Sequence, residues 1–251
     1  MEYFEKFKTY LPDLSNEKKQ KIDGYYNLLL DEGVPAGYVG AATTNEEFWL
    51  RHIADSLFVF QENAIEEILN PSYKRIFDIG TGAGLPGVVM AILKETTAFT
   101  LIDTSEKRLT FINKVCQTLE IDNVQTLHSS VEKVTMNFGY PELITFRAMR
   151  KPLASLELIL NVVEKGSKVL YWRSRPFMKN GDESPTDELA IEAAKRVEQL
   201  GYINVQFTRL RSPEQLGSRG VYIFEYSGES LKGFPRSWAR IKKDLLIERT
   251  V

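Results

Sequence analysis

The sequence has little of what builds covalent or metal-centred sites. Its 251 residues include one cysteine, Cys116, and two histidines. A single thiol cannot form an intramolecular disulfide or a cysteine-rich metal site, so we expect a reducing compartment and no metal. The chain also lacks a run of about 18 apolar residues, and its charged beginning has no signal-peptide core. We therefore expect a cytoplasmic protein without a membrane partner.

An overall excess of charge is lacking as well, because 34 acidic residues oppose 32 basic ones. With 43% hydrophobic residues the chain can bury a core, which excludes general disorder. The balance hides an asymmetry, since residues 165–251 hold 16 basic and 11 acidic residues. The segment KGFPRSWARIKK places Phe234 and Trp238 among basic side chains. This pattern is typical of a nucleic-acid contact, and equally of a solvated tail.

Apolar spacing divides the chain into a helical beginning and an alternating α/β part. It predicts amphipathic helices over 15–32 and 45–69, with Asn45 as the N-cap of the second. From residue 74 short apolar runs alternate with helical stretches, which predicts βαβ units and a parallel sheet. The last two runs, INVQFTRL and VYIFEY, are expected to pair as antiparallel strands.

The segment FDIGTGAGLPG carries the clearest functional signal. A predicted strand ends near Asp78, and glycines follow at 80, 82 and 84. Glycines let the main chain turn sharply and let a ligand approach it, and doubly wound sheets bind nucleotides at this edge. About twenty residues later the next strand ends at Asp103, where a carboxylate can accept hydrogen bonds from ribose hydroxyls.

Two cofactor classes fit this loop. Glycines 82, 84 and 87 satisfy the G-x-G-x-x-G spacing of dinucleotide-binding proteins, which is a weak signal alone. Asp78 favours a ligand with an ammonium and a sulfonium over a pyrophosphate, and the segment resembles the first motif of class I S-adenosylmethionine methyltransferases. We expect an α/β fold of this Rossmann-like class with a helical amino-terminal extension, and S-adenosylmethionine as cofactor. A nicotinamide or flavin, or a purely structural turn, are the alternatives.

Separated motifs resemble one bacterial family. They are RHIADS at 51–56, DIGTGAGLPG at 78–87, LIDTSEKRLTFI at 101–112, SVE at 130–132 and RA at 147–148. With the basic ending, they identify the chain as a member of the RsmG (GidB) family, which methylates N7 of a guanosine in 16S ribosomal RNA. We accordingly expect a helical extension over 1–70, a cofactor-binding domain over 71–230 and a basic tail over 231–251.

The resemblance implies a role for individual residues. The glycine loop would cradle the methionine part of the cofactor, Asp103 would hold its ribose, and the residues after the third strand would flank its adenine. The implied cofactor residues are Asp78, Gly80, Gly82, Gly84, Leu85, Asp103, Val131 and Glu132. The implied catalytic residues are Arg147 and Arg173, and the implied RNA contacts are Arg147, Arg236, Lys242 and Lys243.

Other readings compete with some of these roles. Arg147 could be a surface arginine paired with Glu142 or Glu132, and Arg51 and Asp55, one helical turn apart, can pair with each other. Histidine 52 beside them is expected to be structural.

Three segments depart from the family's pattern. Tyr38-Val39-Gly40 replaces Asn-Leu-Thr, Phe146 replaces a serine, and Trp172-Arg173-Ser174 replaces Leu-Lys-Gly. Arg173 keeps the charge but offers a planar fork where lysine is a point donor. These departures concern the target base more than the cofactor. A methyltransferase of another substrate, or a non-catalytic RNA-binding protein with this fold, are the alternative functions.

The scarcity of histidine agrees with an N7 target. Guanine N7 already exposes a lone pair, so methyl transfer leaves no proton to remove. Alignment of the two reactants then supplies most of the catalysis, about 7–11 kcal/mol in well-oriented reactions. The expected partner is 16S ribosomal RNA or the small ribosomal subunit, bound by a monomer.

Overall fold

A computed structural model describes residues 1–61, 63–69, 71–135, 139–147, 152–173, 188–237, 239–241 and 243. Within these residues a seven-stranded sheet has the order β3-β2-β1-β4-β5-β7-β6. The strands are β1 Arg75–Ile79, β2 Ala98–Asp103, β3 Val124–His128, β4 Leu143–Phe146, β5 Lys168–Trp172, β6 Tyr202–Leu210 and β7 Arg219–Tyr226. The α-helices of the same residues are α1 Glu2–Lys6, α2 Asn16–Leu28, α3 Asn45–Trp49, α4 Asp55–Leu57, α5 Asn63–Leu69, α6 Gly87–Leu93, α7 Glu106–Thr118, α8 Pro152–Leu158 and α9 Glu188–Gln199.

The first five strands are parallel, and β7 lies antiparallel between β5 and β6. The α/β class, the parallel sheet and the antiparallel final pair are therefore confirmed. Because β6 runs antiparallel to β7, and β7 antiparallel to β5, β6 ends at the same edge of the sheet as β4 and β5. We call this the carboxyl edge.

The apolar runs explain which strands lie inside. The central strands β1 and β4 are buried along almost their whole length, as expected of parallel strands covered by helices on both faces. Helices α1 to α5 of the extension share one apolar cluster with helices α6 and α7 and with the sheet. This cluster includes Phe4, Tyr25, Trp49 and Leu101. Helices α8 and α9 cover the opposite face. The extension thus shares a core with the sheet, while the proposed domain boundaries stay predictions.

The helix expected over 45–69 is not continuous. It consists of α3, a π-helical turn at Leu50–Ala54, α4, a 3-10 turn at Phe58–Phe60, and α5. The N-cap prediction was wrong, because the hydroxyl of Thr44, not Asn45, accepts a hydrogen bond from the backbone N–H of Glu47 at 3.1 Å.

Two further predictions have different outcomes. The helix expected near 152–164 ends at Leu158, whereas the loop expected at 174–187 lies outside the described residues. Across the part of the chain that is described, no helix is both long and apolar enough to cross a membrane.

Candidate functional site

Asp78 holds the glycine loop from inside the protein. Its side chain is fully buried, and Oδ2 accepts hydrogen bonds from Thr81 Oγ1 at 2.6 Å and from the Gly87 N–H at 3.0 Å. The other oxygen, Oδ1, accepts from Thr145 Oγ1 on β4 at 2.9 Å. Burial raises the pKa of Asp78 to about 6, although these hydrogen bonds favour the carboxylate. Asp78 therefore ties the loop to two strands, and its contact with a cofactor stays a prediction.

The three glycines of the loop have different surroundings. Gly80 and Gly82 have φ values of 65° and 62°, and a Cβ built on Gly82 would meet no atom within 4 Å. A Cβ on Gly84 would instead lie 2.6 Å from Val88 Cγ2 and 3.1 Å from Tyr25 Oη. Gly84 is needed for packing against the helices, whereas the loop is open at Gly82, where a ligand can approach the main chain.

Asp103 closes the other side of this opening. Its Oδ2 accepts a hydrogen bond from the Gly82 N–H at 2.9 Å and its Oδ1 accepts from the Ser105 N–H at 2.9 Å. An ionised carboxylate has about four lone-pair sites, so acceptor capacity remains for a ribose. The positively charged Arg108 lies 3.8 Å from Oδ2. The contact between Asp103 and the cofactor stays a prediction.

The segment after β3 lies beside the end of β2. The Ser129 N–H donates to the Asp103 carbonyl at 3.1 Å, and a 3-10 turn follows over Val131–Lys133. Val131 is buried and Glu132 is partly exposed. In the loop itself Leu85 is also buried. An open main chain, an acceptor carboxylate and flanking apolar groups fit S-adenosylmethionine by their chemistry.

Arg147, which follows β4, is held by the segment RHIADS. Its Nη1 donates to Asp55 Oδ2 at 3.2 Å, to the His52 carbonyl at 3.2 Å and to Ser56 Oγ at 3.1 Å. The alternative pairing with Glu142 or Glu132 was therefore wrong. Helix and strand packing bring Asp55 to Arg147 across the carboxyl edge.

Asp55 is the centre of this junction. Its Oδ1 lies 3.2 Å from Nε of Arg219 on β7, and its carbonyl accepts from Nε1 of Trp172 at 3.2 Å. Burial raises the pKa of Asp55, and the two arginines oppose that shift. Asp55 does not use the pairing with Arg51 that their spacing allows, since Arg51 forms its ion pair with Glu47.

The contacts of His52 favour the structural role expected for it. Its Nε2 donates to the Gly40 carbonyl at 3.0 Å, and its ring centroid lies 4.5 Å from that of Phe48. Burial, with the Arg147 charge nearby, lowers the pKa of His52 to about 4. The divergent segment Tyr38-Val39-Gly40 thus contributes a main-chain acceptor to this region.

The beginning of the basic tail is anchored on buried Glu157 of α8. Arg236 donates from Nε to Glu157 Oε1 at 2.9 Å and from Nη2 to Oε2 at 2.7 Å. Arg196 of α9 lies 3.3 Å from the same carboxylate, with its guanidinium 4.2 Å from the Phe234 ring centroid. Lys243 is exposed, while Lys242 and Trp238 lie outside the described residues.

Arg173 follows β5, where its N–H donates to the Gly220 carbonyl of β7 at 2.9 Å.

Three residues that contact Asp78, Asp55 and Arg236 were not predicted from the sequence. They are Thr145, Arg219 and Glu157. Thr145 gives a signal as a hydroxyl within the apolar run LITF, and Glu157 as an acid between leucines. Among the described residues no group of three or more His, Cys, Asp or Glu side chains is placed to hold a metal ion.

The strand order, the open glycine loop after β1 and the acid ending β2 define an S-adenosylmethionine-dependent methyltransferase. A solved S-adenosylmethionine-dependent O-methyltransferase from Thermotoga maritima shares the fold. It has a TM-score of 0.51 at 11% identity, over 80% of this chain and 71% of its own. The family model of GidB, described as rRNA small subunit methyltransferase G, matches residues 18–201. The chain belongs to this family.

Curated relatives are similar over nearly the whole chain. A Clostridium botulinum (strain 657 / Type Ba4) protein named Ribosomal RNA small subunit methyltransferase G is 28% identical over 252 residues, covering 98% of this chain and 100% of its own. A Mesoplasma florum protein of the same name is 26% identical over 232 residues, covering 92% and 90%.

Proposed function

We propose that this methyltransferase transfers a methyl group from S-adenosylmethionine to N7 of a guanosine in 16S ribosomal RNA. One observation carries the proposal: the Arg147–Asp55 pair fixes the family motif RHIADS to the sheet edge that holds the glycine loop. This contact supports placing the motif that resembles the family and the cofactor residues in one site. We place the enzyme in the cytoplasm, because its substrate is assembled there, and the expected monomer stays a prediction.

The cofactor residues act by position. S-adenosylmethionine, when bound, supplies a methyl group made electrophilic by its sulfonium. We assign the main chain at Gly80 and Gly82 to its methionine part and Asp103 to its ribose. Val131 and Glu132 are assigned to its adenine. Asp78, Gly84 and Leu85 complete the cofactor set by maintaining the loop from its buried side.

Arg147 is assigned to the guanine base. Its Nη1 is used by three acceptors of the helical extension. Among the described residues none accepts a hydrogen bond from its Nε or Nη2, so these donors are available for a substrate. A donor to guanine O6 would orient the base, whereas a donor to N7 would occupy the reacting lone pair. We therefore assign Arg147 to O6, with Arg173 as a second guanidinium at the same edge.

The basic tail is assigned to phosphates. Arg236, held on Glu157, places the start of the tail on α8, and Lys243 extends from it into solvent. Lys242 is included in this proposal from its sequence position. Local positive charge governs attraction to phosphates, so the net charge of −2 does not oppose the assignment.

The test is methylation of small ribosomal subunits from a strain that lacks this protein. The purified chain is incubated with methyl-labelled S-adenosylmethionine, and the ribosomal RNA is digested to nucleosides. We expect labelled 7-methylguanosine. Subunits from a strain that retains the protein are the matched control, since their target is already methylated and should take up little label.

Each other result would contradict a defined part of the proposal. Label in a different nucleoside would overturn the N7 assignment, and label in a ribosomal protein would overturn the RNA substrate. Cofactor binding without any transfer would indicate another acceptor. An absence of cofactor binding would favour a non-catalytic RNA-binding protein.

A further inference from the structure

A groove lies at the carboxyl edge of the β6–β7 pair, outside the cofactor opening. Its volume is about 460 Å³. Of the residues that the structure describes, three arginines, Arg209, Arg211 and Arg219, line it together with one acid, Glu214, and with Tyr10 of the extension. We call it the arginine groove. None of its arginines belongs to the basic tail.

The groove presents oriented positive charge. Arg209 and Arg211 are exposed. Arg209 Nη1 donates to Ser218 Oγ at 3.1 Å, and Arg219 Nη1 donates to the Ser218 carbonyl at 3.0 Å. Ser218, in the connection between β6 and β7, therefore fixes one nitrogen of each guanidinium group. Guanidinium groups match the geometry of phosphate oxygens and are less strongly hydrated than ammonium groups. An anionic ligand with several phosphates is the complementary partner.

Strand register places this groove beside the proposed base site. The Arg173 N–H bonds to the carbonyl of Gly220, and Gly220 is paired with Arg209. Arg173 and Arg209 thus lie at the same level of the carboxyl edge. They are two strand spacings apart across the sheet, because β7 lies between β5 and β6. At about 4.8 Å per strand, this separation is about 10 Å along the edge.

A buried carboxylate also joins the two places. Asp55 contacts Arg147 of the base site through Oδ2 and Arg219 of the groove through Oδ1. Arg219 is 23% exposed at its side chain and reaches the groove from this pair. The groove and the base site are therefore linked through one buried carboxylate.

We propose that the arginine groove binds the phosphodiester backbone of the RNA strand that flanks the target guanosine. This inference rests on the proposed function and adds to it a contact that lies outside the tail. The volume falls in the range of about 300–1,000 Å³ typical of small-ligand clefts, which suits a phosphate with its sugar in a single strand. The groove acts on RNA binding and leaves the cofactor opening unchanged.

The test compares wild type with the double variant Arg209→Gln/Arg211→Gln in the full chain. Lys74→Ala/Lys165→Ala is the matched control, because it removes two exposed positive charges at the opposite edge, before β1 and β5. Three quantities are measured: the KM for undermethylated 16S ribosomal RNA, both protein-free and in small subunits, the salt dependence of RNA binding, and the Kd for S-adenosylmethionine. The salt series uses protein-free RNA.

We expect the groove variant to raise the KM for RNA about tenfold while the cofactor Kd stays at the wild-type value. The slope of log K against log salt should fall by about 1.4, since each lost contact to a single strand accounts for about 0.7. The control should keep both the KM and the slope.

Three outcomes would overturn the inference. They are a wild-type KM and slope in the groove variant, an equal loss in the control, and a loss seen only with assembled subunits, which would assign the groove to a ribosomal protein. If the groove variant unfolds or loses cofactor binding, Arg209→Lys/Arg211→Lys retains the charge, and a wild-type salt slope with a raised KM would still support bidentate phosphate contacts. A wild type that is inactive on both protein-free RNA and small subunits would refute the proposed function itself, which separates the two failures.

Discussion

Arg147 and Asp55 form an ion pair across 92 positions of the chain, with Nη1 of the arginine 3.2 Å from Oδ2 of the aspartate. Their side chains are only 13% and 11% exposed. A buried pair of this kind positions groups because neither partner can leave without stranding the other's charge. The pair therefore connects the helical extension to the edge where the base is proposed to bind.

Replacing Asp55 with asparagine should destabilise the protein. The change keeps the shape but leaves Arg147 and Arg219 without their shared counter-charge, and breaking a buried pair costs about 3–5 kcal/mol. The free energy of unfolding, measured by urea denaturation, should fall by this amount. Glu47→Gln breaks the exposed pair with Arg51 and should cost less than about 1 kcal/mol. Equal losses in the two variants would contradict the buried role.

Replacing Asp103 with alanine should weaken the binding of S-adenosylmethionine. The carboxylate both fixes the Gly82 N–H and is assigned to the ribose, and hydrogen bonds to charged groups contribute about 1.5–3 kcal/mol. We expect a Kd about 10 to 100 times higher by calorimetry. Asp122→Ala, an exposed acid before β3, is the control and should bind normally. Unchanged affinity in the Asp103 variant would refute the assignment.

Replacing Gly82 with alanine should affect the cofactor more than the fold. The position has a φ of 62° and open space where the added methyl group would lie, so the change costs backbone strain and fills the cofactor opening. Gly166→Ala, with a φ of 89° and similar open space, should show the same kind of strain. We expect both variants to lose about 1–2 kcal/mol of stability. Only the Gly82 variant should lose cofactor affinity in a direct binding assay.

Replacing His52 with glutamine should reduce the acid sensitivity of the fold. The pKa of His52 is lowered from 6.5 to about 4 in the folded protein, so the unfolded chain takes up this proton first. His52 thus contributes stability above pH 6.5 that is lost as the pH falls towards 4, by up to about 3 kcal/mol. Glutamine can still donate to the Gly40 carbonyl but does not titrate. Parallel unfolding curves of wild type and variant from pH 7 to pH 4 would sink the prediction.

The sequence alone determined the parts of the protein whose signals are local. The strands from β1 to β7 followed from short apolar runs, and the glycine loop and Asp103 followed from spacing, because backbone geometry and burial impose those patterns on neighbouring residues. The cofactor class followed from Asp78 and from the resemblance of this loop to the first motif of class I methyltransferases. Each of these features depends on residues within about twenty positions of one another.

Tertiary structure alone decided which distant side chains meet. Local spacing favoured Arg51 as the partner of Asp55, but helix packing against the sheet turns Asp55 inward, where Arg147 and Arg219 neutralise it and Arg51 stays at the surface. The arginine groove likewise exists only because β6 ends at the carboxyl edge, level with Arg173. Contacts of this kind depend on the order and register of the strands in the sheet. A sequence pattern predicts each strand, but it does not predict which strands lie next to each other.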